Sequence, residues 1–280
     1  VFLIDRQEKD LKDELSKLEK ELPKTPVLEP NSSVFFIRRP KKSGKKSGSV
    51  SDLRVFRQID KTKRYSASGL WLSDQALKKL PKKIWTKIWW WLPPVIWPSD
   101  EQKLKELVDS VMNNGAKNFV LNAPWQTTVF THQRKMNLWA GPFCNIANVL
   151  ALKTLASLGY NGAIVTPELG QKDFLLLPKQ SPLPLGIVLS GNWPLCISRV
   201  LSNDLETERS FNSPKGEAAW VKKYESSYWV YPNWKLDLRS QQKALERAGY
   251  KLFVHLIEPI PKDVKLKKRP GLWNWELELL

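Results

Sequence analysis

The 280-residue sequence is poor in the residues that build metal sites and disulfides, with 2 cysteines and 2 histidines. Two thiols, Cys144 and Cys196, are too few for a disulfide scaffold, and this scarcity is typical of a reducing cytosol. Together with His132 and His255 they lack the spacing of zinc or iron–sulfur ligands. We therefore predict a cytoplasmic chain that carries no cofactor and, in particular, no four-cysteine iron–sulfur site.

Long apolar runs and common catalytic motifs are also missing. A membrane-spanning helix needs about 20 apolar residues, and the most apolar run, KIWWWLPPVIWP, is shorter and broken by prolines. We expect neither a transmembrane segment nor a signal peptide. The sequence contains no GxSxG, HExxH, Walker or GxGxxG motif, so it shows no familiar hydrolase or nucleotide-binding signature.

The sequence has far fewer acidic than basic residues. Lys and Arg number 45 against 28 Asp and Glu, which gives a formal net charge of +17. Such a surface attracts polyanions over a Debye length of roughly 10 Å. RNA, DNA or an anionic membrane surface are the natural partners, and an inert solvated surface is the alternative.

Residues 1–80 are predicted to form an extension ahead of the main domain. Its first helix carries a leucine stripe at Leu11, Leu15, Leu18 and Leu22. A short strand is predicted at 33–39, followed by a flexible Lys/Gly/Ser loop at 40–52. The segments LRVFRQ and GLWLSDQALKKLP then predict another strand and a short helix.

From residue 87 to 280, short apolar strands alternate with helices of about 12 residues. This alternation is typical of parallel βα units, and the strands are apolar throughout, as expected when both faces are covered. We count about six strands. The sequence therefore predicts an α/β domain in which βα units form an incomplete or distorted TIM-barrel-like fold, with an open sheet as the alternative.

Several polar residues follow predicted strands and should converge at the carboxyl ends of a parallel sheet. Glu168 is the one carboxylate among them, and it can act as a general base or pair with Arg199. A buried Glu168–Arg199 ion pair with a purely structural role is the alternative. The candidate catalytic residues are Glu168, Arg199 and Asn145, and the candidate substrate-binding residues at strand ends are Asn122, Asn148, Asn192 and Trp193.

Tryptophan is abundant, with 14 residues. The run KKLPKKIWTKIWWW interleaves lysines with tryptophans, and aromatic rings beside lysines can stack unpaired bases, each worth roughly 1–3 kcal/mol. Lys87 and Trp90 are therefore candidate substrate-binding residues. The same rings could instead rest on an anionic membrane or fill the core. Cys196 is a nucleophile only beside an activating base, and a buried inert thiol is the alternative.

The stretch MNLWAGPFCNIANVLALKTLASLGYNGAIVTPELG, at 136–170, resembles the collagenase-like peptidases of peptidase family U32. The matching features are Asn145 and Asn148 in a strand-end loop, a helix ending in Leu158–Gly159, VTPEL at 165–169, and the PL..SR motif from Pro194 to Arg199. SPKGE, YPNWKLDL and LERAGYKLFVHL also look like the family, so the resemblance covers about 87–260.

This resemblance implies a barrel or half-barrel. Some members are named proteases, and others serve hydroxylation of RNA bases or ubiquinone precursors with an iron–sulfur cluster on four cysteines. No cysteine follows Arg199 here, so we expect a later, degenerate domain of a long member. Its expected role is to bind substrate in an RNA-modifying protein, with RNA and the N-terminal part of its own chain as partners. A peptidase and a structural barrel half without chemistry are the alternatives, and whether the chain is an enzyme stays open.

Overall fold

A computed structural model describes residues 11–17, 20, 50–58, 68–130, 135–268 and 275. The chain divides into a unit of residues 1–41 and a unit of residues 42–280. In the first unit, residues 11–17 and 20 are helical, as the leucine stripe predicts, and Leu11 and Leu15 are exposed. The predicted strand at 33–39, Leu18, Leu22 and most of the 40–52 loop lie outside the described residues.

The second unit contains a closed barrel of parallel strands. Its circular order is β7–β13–β1–β2–β3–β4–β5–β6, and β6 pairs back onto β7. The predicted TIM-barrel-like α/β fold is confirmed. The eight barrel strands of the described chain, numbered along it, are β1 Ser51–Phe56, β2 Ser68–Trp71, β3 Trp89–Trp91, β4 Asn118–Leu121, β5 Asn137–Ala140, β6 Gly162–Val165, β7 Leu185–Gly191 and β13 Leu252–Ile257.

Helices connect most of these strands and cover the barrel. The helix Glu101–Asn113 packs on the barrel through an apolar face, in which Leu104, Val108 and Val111 are buried. In the described part of the chain no helix is long and apolar enough to cross a membrane. The α-helices of the second unit are α1 Asp74–Lys79, α2 Glu101–Asn113, α3 Val149–Ser157, α4 Gln171–Gln180 and α5 Gln242–Ala248.

The barrel is closed rather than incomplete, because two of its strands precede residue 80. The six strands counted after residue 87 are the barrel strands β3 to β7 and β13, but β1 and β2 fall in the segment assigned to the extension. β1 alternates buried Leu53 and Val55 with exposed Asp52 and Arg54. The outward-facing side chains of β1 are polar because that side is open to water. Its sequence therefore alternates between apolar and polar residues, unlike that of a strand covered on both faces.

A second, antiparallel sheet is inserted between β7 and β13, and sequence reasoning did not predict it. Its order is β8–β11–β10–β9, and the short strand β12 pairs antiparallel with β7. The β10–β11 hairpin docks on the segment between β3 and α2, where Trp97 Nε1 donates to Ser227 Oγ over 3.2 Å. The ranges are β8 Cys196–Ser198, β9 Ser210–Asn212, β10 Ala218–Tyr224, β11 Ser227–Pro232 and β12 Leu236–Asp237.

Many of the tryptophans fill the core, which was one of the three interpretations of their abundance. Trp90 and Trp91 are fully buried, and Trp85 is 4% exposed. Trp90 Nε1 donates to the carbonyl oxygen of Trp85 over 3.1 Å, so the indole nitrogen is satisfied inside the protein. The lysines of the same run, in contrast, remain exposed.

Candidate active site at the barrel mouth

The carboxyl ends of the barrel strands gather side chains from distant parts of the sequence. Arg57 follows β1, Trp71 ends β2, Phe143 follows β5, Trp193 follows β7, and Glu258 follows β13. In parallel barrels this end of the strands, the mouth, is where functional groups collect. The described mouth is also where the antiparallel sheet contacts the barrel, since Trp229 of β11 packs against Trp71 with ring centroids 5.4 Å apart.

A buried ion pair lies at the centre of the mouth. Arg57 Nε donates to Glu258 Oε1 over 2.9 Å, and the two side chains are only 8% and 4% exposed. Tyr224 donates its hydroxyl to Glu258 Oε2 over 2.8 Å, and Arg57 Nη2 donates to the Tyr231 hydroxyl over 3.3 Å. The carboxylate and the guanidinium therefore satisfy each other together with two phenols from the antiparallel sheet.

Burial and the nearby charges shift the pKa values of Arg57, Tyr224 and Tyr231. Burial alone would lower the pKa of Arg57, but the nearby Glu258 carboxylate raises it, and the net result lies above the ordinary value. Burial, and then Glu258, raises the pKa of Tyr224 and of Tyr231. Arg57 is thus a permanent cation and both tyrosines are permanent hydrogen-bond donors, so neither phenol can serve as a base near neutral pH.

Aromatic rings enclose the Arg57 guanidinium. Its central carbon lies 4.2 Å from the Trp71 ring centroid, 4.0 Å from that of Tyr224 and 4.1 Å from that of Trp229. Such cation–π contacts contribute about 2 kcal/mol or more when they are desolvated. The centre of the mouth is consequently filled by a rigid cage and not by an open catalytic cleft.

A cavity of about 340 Å³ opens beside this cage. Arg57, Trp71 and Tyr224 line it, together with apolar side chains such as Ile96 and Leu104. This volume falls in the range that holds small molecules, roughly 300–1,000 Å³. The polar residues that line it are Gln58, Ser73, Gln75, Asp100, Lys103, Lys223, Glu225, Ser226 and Ser227.

Three of the predicted asparagines, Asn122, Asn145 and Asn148, lie in different structural settings. The Asn122 amide nitrogen donates to the Leu92 carbonyl oxygen over 2.8 Å, while its buried Oδ1 has no partner among the described residues. Asn145 is exposed and takes the left-handed backbone conformation, with φ 52°, after a short 3₁₀ turn. Asn148 caps α3, because its side-chain oxygen accepts from the Ala151 N–H over 2.9 Å.

Glu168, Arg199, Asn192 and Trp193 differ in their exposure and their contacts. Glu168 and Arg199 are both exposed, so the alternative of a buried ion pair between them is wrong. Arg199 lies over the Trp97 ring, 5.3 Å from its centroid. Asn192 is buried, and Trp193 stacks on Phe143 with centroids 4.5 Å apart. Of this group, Trp193 joins the aromatic cluster at the mouth.

Lys87 and Trp90 occupy opposite environments although they are close in sequence. Lys87 is exposed, whereas Trp90 is fully buried. Binding of a ligand on this segment would therefore involve the lysine and not the neighbouring ring. No group of three His, Cys, Asp or Glu side chains gathers to hold a metal within the described ranges, and the absence of a cluster from the chain stays a prediction.

The two thiols differ in exposure but neither is an activated nucleophile. Burial raises the pKa of Cys144 to about 12, and its thiol donates to the Leu121 carbonyl oxygen. Cys196 is exposed, which corrects the expectation of a buried thiol, and partial burial still raises its pKa. A thiolate is the reactive form, so both cysteines are poorly suited to attack.

We predict that iodoacetamide at mildly alkaline pH modifies Cys196 in the native chain and leaves Cys144 unmodified. The difference follows from exposure and from the pKa, because Cys144 is less exposed than Cys196 and burial raises the pKa of its thiol to about 12. Peptide mapping by mass spectrometry before and after denaturation in urea measures it. Equal modification of both thiols in the native chain would contradict the burial of Cys144.

Sequence reasoning missed the residues that dominate the mouth, namely Arg57, Glu258, Tyr224 and Tyr231. One signal was present: AAWVKKYESSYWVYP contains two alternating runs separated by Glu225 and Ser226, which is hairpin spacing. Glu225 has φ 50°, as tight hairpins require. That pattern predicts the β10–β11 hairpin but not where it docks.

Comparisons with known proteins find a similarity in structure but none in sequence. No family model matches the sequence, and no curated protein matches it. Among solved structures, the chain is similar to that of the U32 peptidase Mk0906, with a TM-score of 0.45 and 8% sequence identity. The similarity covers 76% of this chain and 96% of the other.

Proposed function

We propose that this chain is a substrate-binding domain of a collagenase-like peptidase-family protein that acts on RNA. The observation that supports it is a row of exposed lysines held on a rigid surface. The row starts at the end of α1 and continues through the 3₁₀ helix Lys82–Lys87. It comprises Lys78, Lys79, Lys82, Lys83 and Lys87.

The row is rigid because its apolar neighbours are buried. Ile84 and Trp85 are 9% and 4% exposed, and Ile88 is fully buried. Trp85 Nε1 donates to the Leu80 carbonyl oxygen over 3.3 Å, which fixes the turn from inside. Lysines that are held in place lose less conformational entropy when they bind phosphates, which favours binding.

The row also reaches the cavity at the barrel mouth. Lys79 Nζ donates to Gln58 Oε1 over 2.8 Å, and Gln58 Nε2 donates to Gln75 Oε1 over 3.0 Å. Both glutamines line the cavity. An RNA backbone that follows the lysines would therefore pass the opening of the cavity, where a nucleotide could be held.

Binding of structured RNA at low and moderate salt tests this proposal. On a log–log plot, affinity should fall linearly with salt, with a slope of about −0.9 for each phosphate contact in a duplex. Replacing four lysines of the row by glutamine should make the slope shallower by up to about 3.6, if each lysine contacts one phosphate. The substituted residues are Lys78, Lys82, Lys83 and Lys87.

A matched control removes the same charge elsewhere. It replaces one exposed lysine on each of the helices α2 to α5 by glutamine, and it should leave most of the salt slope intact. If wild type binds no RNA at low salt, or if both variants lose affinity equally, the lysine row is not an RNA site. The control residues are Lys105, Lys153, Lys179 and Lys243.

A further inference from the structure

A hydroxyl, an imidazole and a carboxylate lie side by side on the outer surface of the barrel, away from the mouth. Ser190 Oγ lies 2.8 Å from His255 Nδ1, and His255 Nε2 lies 3.5 Å from Asp52 Oδ1. The three residues come from the adjacent strands β7, β13 and β1. They face outward because Leu53 and Val55, which alternate with Asp52, are the buried residues of β1.

An irregularity in the sheet brings Ser190 to the histidine. The pairing of β13 with β7 shifts between Val254 and His255, so that β7 contains one extra residue, Leu189. Such a bulge redirects the side chains beyond it, and here it sets Ser190 directly opposite His255. Gly191 follows with φ 136°, where a Cβ would lie 2.2 Å from the Leu256 carbonyl oxygen.

Charged residues from two neighbouring strands flank the imidazole, and Arg54 of β1 lies in register with His255. Asp52 approaches from β1, and Asp237 of β12 lies in register with Ser190 on the other side. Asp237 is itself held by Arg239, whose Nε donates to Asp237 Oδ1 over 2.8 Å. Asp52 is therefore the carboxylate that can accept from His255 Nε2, leaving Nδ1 to accept from Ser190. The side chains of Asp52 and His255 are 61% and 18% exposed, so solvent reaches them.

We propose that Ser190, His255 and Asp52 form a nucleophilic site that cleaves activated esters. This activity is separate from RNA binding. A nucleophile within hydrogen-bond reach of a base, with a third group orienting that base, is the arrangement that activates serine on unrelated folds. In chymotrypsin, histidine Nε2 faces the serine and Nδ1 faces the aspartate. Here Nδ1 faces Ser190 and Nε2 faces Asp52, so one nitrogen can still accept the hydroxyl proton while the other donates to the carboxylate.

The reaction needs only the ester and water. Ser190 Oγ bonds to the ester carbonyl carbon while His255 Nδ1 takes the hydroxyl proton, and the carbonyl electron pair moves to oxygen. When that electron pair re-forms the carbonyl double bond, the C–O bond to the alcohol breaks and the leaving oxygen takes the proton from Nδ1. Water then attacks the acyl-serine carbonyl carbon in the same way, with Ser190 Oγ as the leaving group. The acid is released and Ser190 is restored. Asp52 stabilises the protonated imidazole formed in each half.

Labelling of the full chain with a fluorophosphonate, which reacts with activated serines, tests the proposal. Intact mass and peptide mapping should find one adduct, on Ser190. Ser190→Ala should abolish it, and His255→Gln should slow labelling by about 100-fold or more, the usual contribution of a general base. Asp52→Asn should slow it by a smaller factor. Ser157→Ala, at an exposed serine bonded to a helix carbonyl, is the control and should label at the wild-type rate.

Thermal unfolding of each variant checks that the substitution leaves the fold intact. RNA binding by Ser190→Ala should equal that of wild type. The absence of an adduct on the folded wild-type chain would overturn the proposal. So would an adduct that persists in Ser190→Ala, or labelling of His255→Gln at the wild-type rate. Because RNA affinity is measured separately, failure of either proposal leaves the other intact.

Discussion

Replacing Arg57 with methionine is expected to lower the free energy of unfolding by about 3–5 kcal/mol, the usual cost of removing one partner from a buried ion pair. The substitution leaves the Glu258 carboxylate buried at 4% exposure with the Tyr224 hydroxyl as its remaining donor. It also removes the cation from the rings of Trp71 and Trp229. Urea unfolding followed by tryptophan fluorescence measures the loss.

Two controls make this prediction specific. The double variant Arg57→Met with Glu258→Leu should recover much of the lost stability, because no charge is then left uncompensated. Arg239→Met removes an ion pair whose side chains are 67% and 45% exposed, and it should change stability by less than about 1 kcal/mol. A loss below about 1 kcal/mol for Arg57→Met would mean that water reaches Glu258 at the mouth.

Gly191→Ala should be nearly as costly, by about 2–4 kcal/mol, for a different reason. The new methyl group would meet backbone atoms of Leu256 at 2.2 Å and 2.7 Å, and φ 136° is strained for alanine. β7 and β13 must separate to relieve the clash, so Ser190 should also move away from His255. Urea unfolding and the rate of fluorophosphonate labelling measure the two effects.

Gly216→Ala is the matched control for Gly191→Ala. Gly216 has φ 79° but no atom within 4 Å of the added Cβ. Alanine there bears only the backbone strain, roughly 1–2 kcal/mol. If both variants lost the same stability, the contact with Leu256 would not be what fixes the glycine at position 191.

The fold was largely predictable because it rests on local patterns. Apolar strands, amphipathic helices and glycine stops are encoded within a dozen residues, and they predicted the βα alternation from residue 87 onward. LRVFRQ predicted β1 as a strand but not as part of the barrel, because its outer side carries the exposed residues Asp52 and Arg54 and the strand is not apolar throughout. The inserted sheet was not predicted because β8 and β9 have only three residues each, too few to show a pattern, and are recognisable as strands only by their pairing with β11 and β10.

The contents of the mouth could not be predicted from local patterns. Arg57 and Glu258 are 201 residues apart in the sequence, and nothing near either residue indicates the other. The residues selected because they follow strands have different structural roles. Trp193 packs in the mouth, whereas Asn148 caps a helix. Position at a strand end restricts where a side chain begins, but tertiary contacts decide where it points. The roles assigned to Glu168, Arg199 and Asn145 remain predictions.

The pairing of β1 with β13 has a consequence for how the chain reaches its native state. The barrel closes only when residues 51–56 meet residues 252–257, nearly at opposite ends of the second unit. Closing so long a loop costs chain entropy before any contact compensates for it, which slows folding. During synthesis, the edge of β1 that pairs with β13 stays unpaired until residues 252–257 leave the ribosome. Its exposed Asp52 and Arg54 are the kind of charged side chains that keep a waiting edge from pairing with another chain.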